Sequence, residues 1–554
     1  MGPDLKDTYA RQALDQIPRL LGNQDRNPYS PTYGCFHRDY WLDKTSDFPD
    51  AVRQFGVHSL ALIYKHDFPG NPYRGQDKIR EWTTAGLDYW AKIQHRDGSF
   101  DEFYPYERGW VGPTAFTTFT AIEALNLLGD EIPPPIAERV RSAIQRAAYF
   151  ITAGQKEEDH LANHHAMACL AVWKAYRLLD DPALKEGYER LWNGFLGYHN
   201  PDEGWSTEYD GVDPGYLSAV VSFLGKIYQD NPEPSIYEVL RQSVEFCAYF
   251  VYPDDFYAGS LGSRNTLHFY PHGFEIMSNK LPMAATIAET MLRSLEDGNL
   301  VPPRIMSDRY VYYRVSEFLQ SYLDYKPRQS ELPPLPYQSD SLSEYFPKSR
   351  IHARSTGQHY TIANLAKGGV FKVFNRQDGR LLLNNCGLIG KLDDGRVVTT
   401  QWIDPQYECQ ADAQGWTVSG NMHVVPSNKL FTPTKHILFR IVLLLFGWNP
   451  AFSHVIKGRI RKILMLGQRP VPVRFKRCLR IDSQTISLTD NIYLNGDVSF
   501  ASLSSAGEFF VRYVPQSRYF QINELAVSSK EIYPQELEVL NDQRHLTLKS
   551  EVRA

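Results

Sequence analysis

The spacing of the apolar residues changes near residue 326, and this change constrains the fold more than any other feature of the sequence. Before it, apolar residues recur every three or four positions, as in Val140, Ile144 and Ile151, which is typical of one face of an amphipathic helix. After it, short apolar runs alternate with polar residues and turns, which is typical of β-strands. The sequence therefore predicts helices first and strands second.

The same patterns predict individual elements. Helices are expected at residues 116–128, 136–151, 166–179 and 282–295. Residues 369–374 and 381–383 flank a polar turn and predict a β-hairpin. Further strands are expected at residues 397–402, 416–425, 481–488 and 511–514.

A weak repeat in the first part predicts how its helices are arranged. Residues 94–100 form a turn with glycine and an aromatic residue, and a helix follows at residues 112–116. Residues 200–206 and 213–217 repeat this order. Repeated helical hairpins close into (α/α) toroids, whose loops gather at one end, or they stack into solenoids. We favour the toroid.

Prolines separate the two parts. Pro327, Pro333, Pro334, Pro336 and Pro347 break any helix, so residues 327–347 are interpreted as a linker. The predicted fold class is α+β multidomain, with an N-terminal (α/α) toroid at residues 1–326. A C-terminal antiparallel β-sheet domain follows at residues 348–554, with a basic insertion near residues 430–480.

The charge is unevenly distributed. The net charge of −5 argues against a dedicated nucleic-acid-binding protein. Residues 413–481, however, contain 12 Lys and Arg and no Asp or Glu, which leaves −17 for the rest of the chain. With Phe446, Trp448 and Phe452 nearby, this segment predicts contact with an acidic polymer, or with an anionic membrane through residues 435–480. The alternative is a solvated face of a β insertion.

Cysteine usage and the N-terminus bear on the compartment. The six cysteines form no C-x-x-C pair, which indicates buried free thiols in a reducing compartment. The first residues lack the apolar stretch of a signal peptide, so the expected localisation is cytoplasmic, or periplasmic if the N-terminus was trimmed. The longest apolar run, residues 437–448, is shorter than the roughly 20 residues that span a bilayer.

Three polar clusters in the first part could carry chemistry. They lie at residues 163–165, 208–216 and 262–275, each at a junction between a loop and a helix. The predicted catalytic residues are Asn163, His164, Tyr209, Tyr216, Arg264, His268 and His272. The predicted substrate-binding residues are His165, Asp210, Tyr270, Glu275, Trp110 and Arg38. The competing interpretations are an N-cap role for Asn163 and a buried polar network in the third cluster.

These residue types suit the elimination of a 4-linked uronic acid. Asn, His or Arg can neutralise the carboxylate, which acidifies the proton at C5. Tyr or His can remove that proton, and Tyr can protonate the departing O4. Because a free Tyr has a pKa of about 10, a cation such as Arg264 would have to lower it.

The Asn163-His164 pair before a helix, with Asp213-Pro214-Gly215-Tyr216 downstream, resembles the heparinase II/III-like and alginate lyase superfamily. The resemblance implies a toroid followed by a β-sheet domain. It implies that Asn163 and His164 neutralise the carboxylate, and that Tyr216 or Tyr209 is base and acid. The β domain of that family opens with a His-Gly-His-Phe-Asp-like motif, whereas this chain has Gly357-Gln358-His359-Tyr360. We therefore expect the loop from Arg264 to Glu275 to supply the missing His and Arg.

Several functions remain open. The leading hypothesis is a polysaccharide lyase that acts on an acidic, uronate-containing glycan and requires no cofactor. A uronate C5-epimerase would use the same groups, and an inverting glycoside hydrolase needs two carboxylates about 6.5–9.5 Å apart. A non-catalytic glycan- or membrane-docking protein would use the basic segment. A zinc site at His164, His268 and His272 lacks a diagnostic spacing, and the oligomeric state is not predicted. The candidate carboxylates for the hydrolase are Asp97, Glu102, Glu208, Asp210 and Glu275.

Overall fold

The computed structural model describes residues 4–102, 111–153, 161–425, 432–461, 469–482, 485–507, 519 and 532–553. Its first part is helical, as the apolar spacing predicts. The helices are α1 (Asp7–Leu14), α2 (Ile17–Asn23), α3 (Arg38–Trp41), α4 (Gly56–Lys65), α5 (Asp77–Lys92), α6 (Val111–Leu128), α7 (Pro134–Thr152), α8 (Ala162–Leu179), α9 (Pro182–Leu196), α10 (Pro214–Asp230), α11 (Pro234–Ala248), α12 (His272–Met277), α13 (Pro282–Asp297) and α14 (Asp308–Asp324).

The helices form two concentric rings, so the predicted toroid is confirmed. In the inner ring α4, α6, α8, α10, α12 and α14 each pack against the next, and α14 closes the ring against α4. The outer helices α5, α7, α9, α11, α13 and α1 each pack against the inner helix beside them. Inner helices are apolar on most faces, as in α10, because neighbours surround them.

The repeated turns hold the outer ring. Gly98 and Gly204 both have positive φ angles, 94° and 82°, which glycine adopts without steric cost. A Cβ at Gly98 would lie 2.4 Å from the carbonyl oxygen of Arg146 in α7, and one at Gly204 would lie 2.3 Å from that of Gln242 in α11. The weak sequence repeat therefore corresponds to two equivalent contacts between a turn and an outer helix.

The strands form one small sheet inside the helical part and two larger sheets after it. The small sheet contains β1 (His199–Asn200), β2 (Trp205–Glu208) and β3 (Gly211–Val212). The second has the order β4 (Leu342–Phe346), β5 (Ile351–Ser355), β6 (His359–Asn364), β7 (Val370–Asn375), β8 (Leu381–Asn385). The third contains β9 (Leu388–Leu392), β10 (Val397–Thr399), β11 (Glu408–Asp412), β12 (Gly415–Val424), β13 (Pro470–Ile481), β14 (Thr485–Leu494), β15 (Phe500–Ser505) and β16 (His545–Arg553). All of the strand pairs described are antiparallel.

The β4–β8 sheet lies between the helices and the third sheet. Along β7, Val370 and Phe374 join the core shared with the helices, while Phe371 and Val373 join the core shared with the third sheet. This is the two-residue period of a strand that is buried on both faces. The β domain is therefore packed directly on the helical part.

Some predicted boundaries differ from the structure. The linker at residues 327–347 includes β4 at its end, and Arg328 ties its start to Glu275 at 2.7 Å. The strand predicted at 481–488 spans the turn between β13 and β14. Residues 511–514 lie outside the described part of the chain.

The basic insertion begins as a helical hairpin. It contains α15 (Pro433–Phe446) and α16 (Pro450–Arg461), and α17 (Pro534–Gln543) precedes the last strand. Arg477 on β13 is buried and bonds to Asp490 at 2.7 Å, while Arg474 and Arg480 pair with Glu408 and Asp412. Among the described residues, no helix combines the length and apolar character needed to cross a bilayer.

Candidate functional site

The candidate site is built at the N-termini of the inner helices α8 and α10. Leu161 pairs as a β-bridge with Glu208 at the end of β2, directly before α8 begins. This pairing places the Glu208 carboxylate beside the first turn of α8, where the Asn163 amide donates to Glu208 Oε2 at 2.8 Å. Asn163 therefore does not serve as the N-cap of α8, a position that Leu161 occupies.

A tight turn presents Tyr209. Tyr209 and Asp210 have φ angles of +53° and +64° and connect β2 to β3, in which Glu208 pairs with Gly211. Two consecutive positive φ angles in a two-residue hairpin loop are usually adopted by Asn and Gly. A Tyr there carries backbone strain, and such strain concentrates at functional sites.

Asp213 links this turn to the third cluster. It is the N-cap of α10, and its carboxylate accepts from the Tyr216 backbone N–H at 3.1 Å and from the Arg264 backbone N–H at 2.9 Å. Ser263 adds two bonds, from its N–H to the Val212 carbonyl at 2.8 Å and from its hydroxyl to the Glu208 carbonyl at 2.6 Å. The loop that carries Arg264 is therefore fixed against the β3–α10 junction.

Arg264 is the centre of the site. Its Nη1 donates to Glu208 Oε1 at 3.1 Å, and its guanidinium lies 4.3 Å from the ring centroid of Tyr209 and 4.6 Å from that of Tyr216. Its Nε has no hydrogen-bond partner among the described residues, although the side chain is buried. Asn163, Tyr209, Tyr216 and Arg264 thus converge on one place.

The charges of the site are strongly coupled. Burial alone lowers the pKa of Arg264, but the neighbouring Tyr209, Tyr216 and Glu208 outweigh burial and raise it. Burial raises the pKa of Glu208, and Arg264 and Asn163 partly oppose that rise. The guanidinium therefore stays charged beside two phenols and one buried carboxyl group.

A second polar group lies beside the first. Arg309 at the start of α14 bonds to Asp50 at 2.8 Å and also to Glu102. Burial raises the pKa of Glu102, with Arg309 opposing the rise, and the charge of His164 acts on both Glu102 and Glu208. His164 packs edge-on against Phe116, with 5.6 Å between ring centroids. His164 is therefore close enough to both groups for its charge to affect both carboxyl groups.

The loop of the third cluster continues into the ring. His268 is buried, and its ring stacks on Tyr310 of α14 at 5.0 Å; neither ring nitrogen has a hydrogen-bond partner among the described residues. Burial lowers the pKa of His268 well below its usual value, and the positive charges of Arg314 and Arg264 lower it further. Tyr270 is also buried, with its ring 4.7 Å from the Arg314 guanidinium.

The structure does not bring every predicted residue to this site. His165 points away from the ring centre and stacks on Tyr198 at 4.4 Å. Glu275 bonds to Arg328 and Tyr9 toward the outer ring, and Arg38 lies on the surface beside Asp43. Asp210 is exposed at the tip of the turn, and Trp110 lies outside the described residues.

His272 belongs to a different cluster. Its Nε2 shares a hydrogen bond with Asp324 at 2.6 Å, near the C-terminal ends of α10 and α14. Lys226 bonds there to Glu317 at 2.8 Å, beside a cavity of about 200 Å³ that His58 and His272 help to line. The prediction that His272 joins Arg264 in one site is therefore wrong.

Several residues of the site carry little signal of their role in the sequence. Glu208 stands in the second polar cluster and is a candidate carboxylate for a hydrolase, whereas Arg309, Tyr310 and Asp50 belong to none of the three clusters. The aromatic-rich start of α14 is the signal that could have found Tyr310. Within the described stretches of chain, no three His, Cys, Asp or Glu side chains cluster so that they could hold a metal ion, and His164, His268 and His272 do not form such a group.

Comparisons with known proteins found one matching family model and several similar structures. Residues 72–273 match the family model described as the ulvan lyase N-terminal domain. A heparan sulfate lyase, HepC, from Pedobacter heparinus shares 10% identity over 91% of this chain and 73% of its own, with a TM-score of 0.43. Heparinase III shares 11% identity over 91% and 72%, with a TM-score of 0.47. The search among curated proteins found no match.

The matched residues include the predicted motifs at Asn163-His164 and Asp213–Tyr216 and the Arg264 loop. Residues 72–273 are therefore similar to the N-terminal domain of ulvan lyases, and the predicted resemblance to a superfamily of polysaccharide lyases is confirmed.

Proposed function

We propose that the protein is a polysaccharide lyase that cleaves an acidic, uronate-containing glycan by β-elimination. The match of residues 72–273 to an ulvan lyase domain supports the reaction class. The convergence of Asn163, Tyr209, Tyr216 and Arg264 supports the location of the site.

The carboxylate of the uronate would be neutralised first. Asn163 and Arg264 already hold the buried Glu208 carboxylate, so this corner of the site stabilises negative charge. We assign two donors to a substrate carboxylate: Arg264, whose Nε has no hydrogen-bond partner in the part of the chain that the structure describes, and the partly exposed His164. Their hydrogen bonds to the carboxylate stabilise the enediolate that forms when C5 loses its proton.

A tyrosine would then move the proton. A guanidinium beside a phenol favours the phenolate, which can remove the proton from C5. The electron pair of the C5–H bond forms the C4–C5 double bond, and the C4–O4 bond breaks. The tyrosine hydroxyl returns the proton to the departing O4. The single observation that carries this proposal is the position of Arg264 over both the Tyr209 and Tyr216 rings.

The test is an elimination assay on a panel of polysaccharides that contain 4-linked uronates, together with ulvan. Cleavage is followed by the ultraviolet absorbance of the unsaturated product. One of the two tyrosines supplies the catalytic hydroxyl, so we make Tyr216→Phe and Tyr209→Phe separately. The variant that removes this hydroxyl should lower kcat by about 100-fold or more, the usual contribution of general acid–base catalysis.

The control is Tyr149→Phe, the same chemical change on the outer helix α7, where the side chain is exposed. This variant should keep full activity. Absence of unsaturated product from the whole panel, or wild-type rates in both site variants, would overturn the proposal.

An inverting glycoside hydrolase is the second candidate. Its support is the pair of Glu102, which is largely buried, and Glu208, which is fully buried. Burial raises the pKa of both carboxyl groups, and the charge of His164 acts on both. One protonated and one ionised carboxyl group are what that reaction requires. In the same assay, new reducing ends without unsaturation, lost in Glu208→Gln, would favour hydrolysis.

A further inference from the structure

The hairpin of α15 and α16, residues 433–461, is an insertion between two strands of the third sheet and contributes no strand to it. β12 ends at Val424 and β13 begins at Pro470, and these two strands pair directly with each other. Inside the hairpin, Phe446 packs on Phe452 at 5.1 Å, and the Ser453 hydroxyl donates to the Gly447 carbonyl at 2.7 Å. The hairpin is thus an ordered unit attached to the sheet.

One face of α15 points toward the protein. Leu443 is buried, and Arg440 pairs with Asp47 at 3.0 Å while its guanidinium lies 5.6 Å from the Phe48 ring centroid. Residues 440, 443 and 447 share this face, because they are spaced by three and four positions. The contact anchors the hairpin to the loop before Asp50, which bonds to Arg309 beside the candidate site.

The rest of the helix surface is apolar and exposed. Leu444 is 59% exposed, and Trp448 at the tip of the hairpin is 62% exposed. Soluble proteins rarely expose so many large apolar side chains together, and such patches mark interaction sites. The exposed apolar residues of the hairpin are Ile437, Leu438, Ile441, Leu444, Leu445, Phe446, Trp448, Phe452 and Val455.

The charge of the hairpin selects among partners. Residues 432–462 contain six Lys and Arg and no Asp or Glu. Lys435 and Arg459 are exposed at the ends of the hairpin away from its apolar tip. An apolar face flanked by cations is complementary to an anionic bilayer, which offers both hydrocarbon and negative charge. A soluble acidic polymer would satisfy the cations but would leave the leucines in water.

The length of α15 suits a helix that lies along the bilayer surface and does not cross the bilayer. With 14 residues, α15 is about 21 Å long, whereas the hydrocarbon core of a bilayer is about 30 Å thick. Trp448 is a residue type enriched at the membrane–water interface. We propose that the 433–461 hairpin docks the protein on an anionic phospholipid bilayer by burying its Ile437–Val455 apolar face in one leaflet.

The test is flotation of the full chain with vesicles. We expect binding to phosphatidylcholine vesicles that contain phosphatidylglycerol, and weaker binding to phosphatidylcholine alone. Leu444→Glu combined with Leu445→Glu should lower the vesicle partition coefficient by about tenfold or more, because both side chains would be buried in the leaflet. Lys435→Glu combined with Arg459→Glu should weaken the preference for anionic vesicles and its salt dependence, because the net charge of residues 432–462 falls from +6 to +2.

The matched control is Val539→Glu, a charge placed at an apolar position of α17 that is 39% exposed. It should bind vesicles like the wild type. Absence of binding to either vesicle would overturn the proposal. So would a concentration-dependent dimer that the Leu444→Glu and Leu445→Glu changes abolish without any vesicle binding, or binding to a soluble acidic polysaccharide that these changes leave intact.

Discussion

His58 shows how single residues set the acid stability of the helical ring. The side chain is buried on α4, edge-on to Phe119 at 5.7 Å, and neither ring nitrogen has a hydrogen-bond partner among the described residues. Burial lowers its pKa to about 3, and the positive charge of Lys226 is the next cause. Glu317 opposes the shift but is already bound by Lys226. His58 is therefore neutral in the folded protein.

This neutral histidine predicts a loss of stability in acid. Its usual pKa is 6.5, so below pH 6.5 the unfolded chain binds a proton that the folded chain does not. Above pH 6.5, His58 does not lower the free energy of unfolding. As the pH falls from 6.5 toward 3, the free energy of unfolding decreases by roughly 1 kcal/mol per pH unit. Urea unfolding at pH 7, 6 and 5 should show a shallower decrease for His58→Gln than for the wild type.

The control is His545→Gln, which changes an exposed histidine on β16. The pH dependence of its unfolding free energy should equal that of the wild type. If the free energy of unfolding of His58→Gln decreases with pH as steeply as that of the wild type, protonation of His58 is not the cause of the loss of stability in acid.

A short sequence motif places side chains on one segment of the chain, but it does not give the direction in which each side chain points. Asn163 and His165 are two residues apart on one helix, so their side chains face different ways, and only Asn163 reaches Glu208. Arg264 and His272 are close in sequence, but irregular chain separates them. Eight extended residues reach up to about 27 Å, which carried His272 to the other end of the ring.

At the scale of elements, glycine sets the contact between α10 and α12. A Cβ at Gly273 would lie 2.3 Å from the Val221 carbonyl oxygen, and one at Gly225 would lie 3.0 Å from the Gly273 Cα. The two backbones therefore touch without intervening side chains. Because α12 has only six residues, this close contact is a large part of its packing in the inner ring, beside its contacts with α13 and α14.

We expect Gly273→Ala to lower the free energy of unfolding by about 1–3 kcal/mol, because the methyl group would force the helices apart. Gly194→Ala is the matched change: Gly194 is in α9, a Cβ there would meet open space, and alanine favours the helix by about 0.5–1 kcal/mol. Thermal unfolding of both variants gives the comparison. Equal changes of thermal stability in the two variants would mean that the backbones of α10 and α12 are not in close contact.

The basic insertion shows why element type can be missed. Its position inside a β domain and its dense charge favoured a β insertion as the alternative, yet residues 433–461 are helical. The apolar residues at 437, 441, 444 and 448 have the helical spacing. The sequence does not indicate, however, which other element they would pack against. Helical spacing of apolar residues predicts a helix most clearly when those residues are buried in a core.

At the scale of the whole molecule, the order of the parts was predictable but their contact was not. The change of apolar spacing indicates helices before strands. It does not indicate that the β4–β8 sheet is covered on both faces, since that depends on side chains far apart in sequence. Tyr360, for example, donates to the carbonyl of Tyr249 in the helical part at 2.6 Å.

The β domain also holds the loop that carries Arg264. Lys367 is fully buried, and its ammonium group donates to the Gly262 carbonyl at 2.6 Å and to that of Ser260. Asn364 donates to the Leu261 carbonyl between them at 2.7 Å. The residues directly before Ser263 and Arg264 are therefore fixed by the sheet, which makes Lys367 a positioning residue for the site.

Lys367→Met should consequently lower both stability and the proposed lyase activity. Buried carbonyls that lose a donor cost about 1–3 kcal/mol each, and Arg264 would lose its fixed position over Tyr209 and Tyr216. We expect kcat to fall by about tenfold and KM to rise by less, because the alignment of the tyrosines matters most in the transition state. Lys391→Met, at an exposed position on β9, is the control and should change neither quantity. A variant that loses stability but keeps the wild-type kcat would assign Lys367 a structural role only, and would show that the toroid positions Arg264 without the sheet.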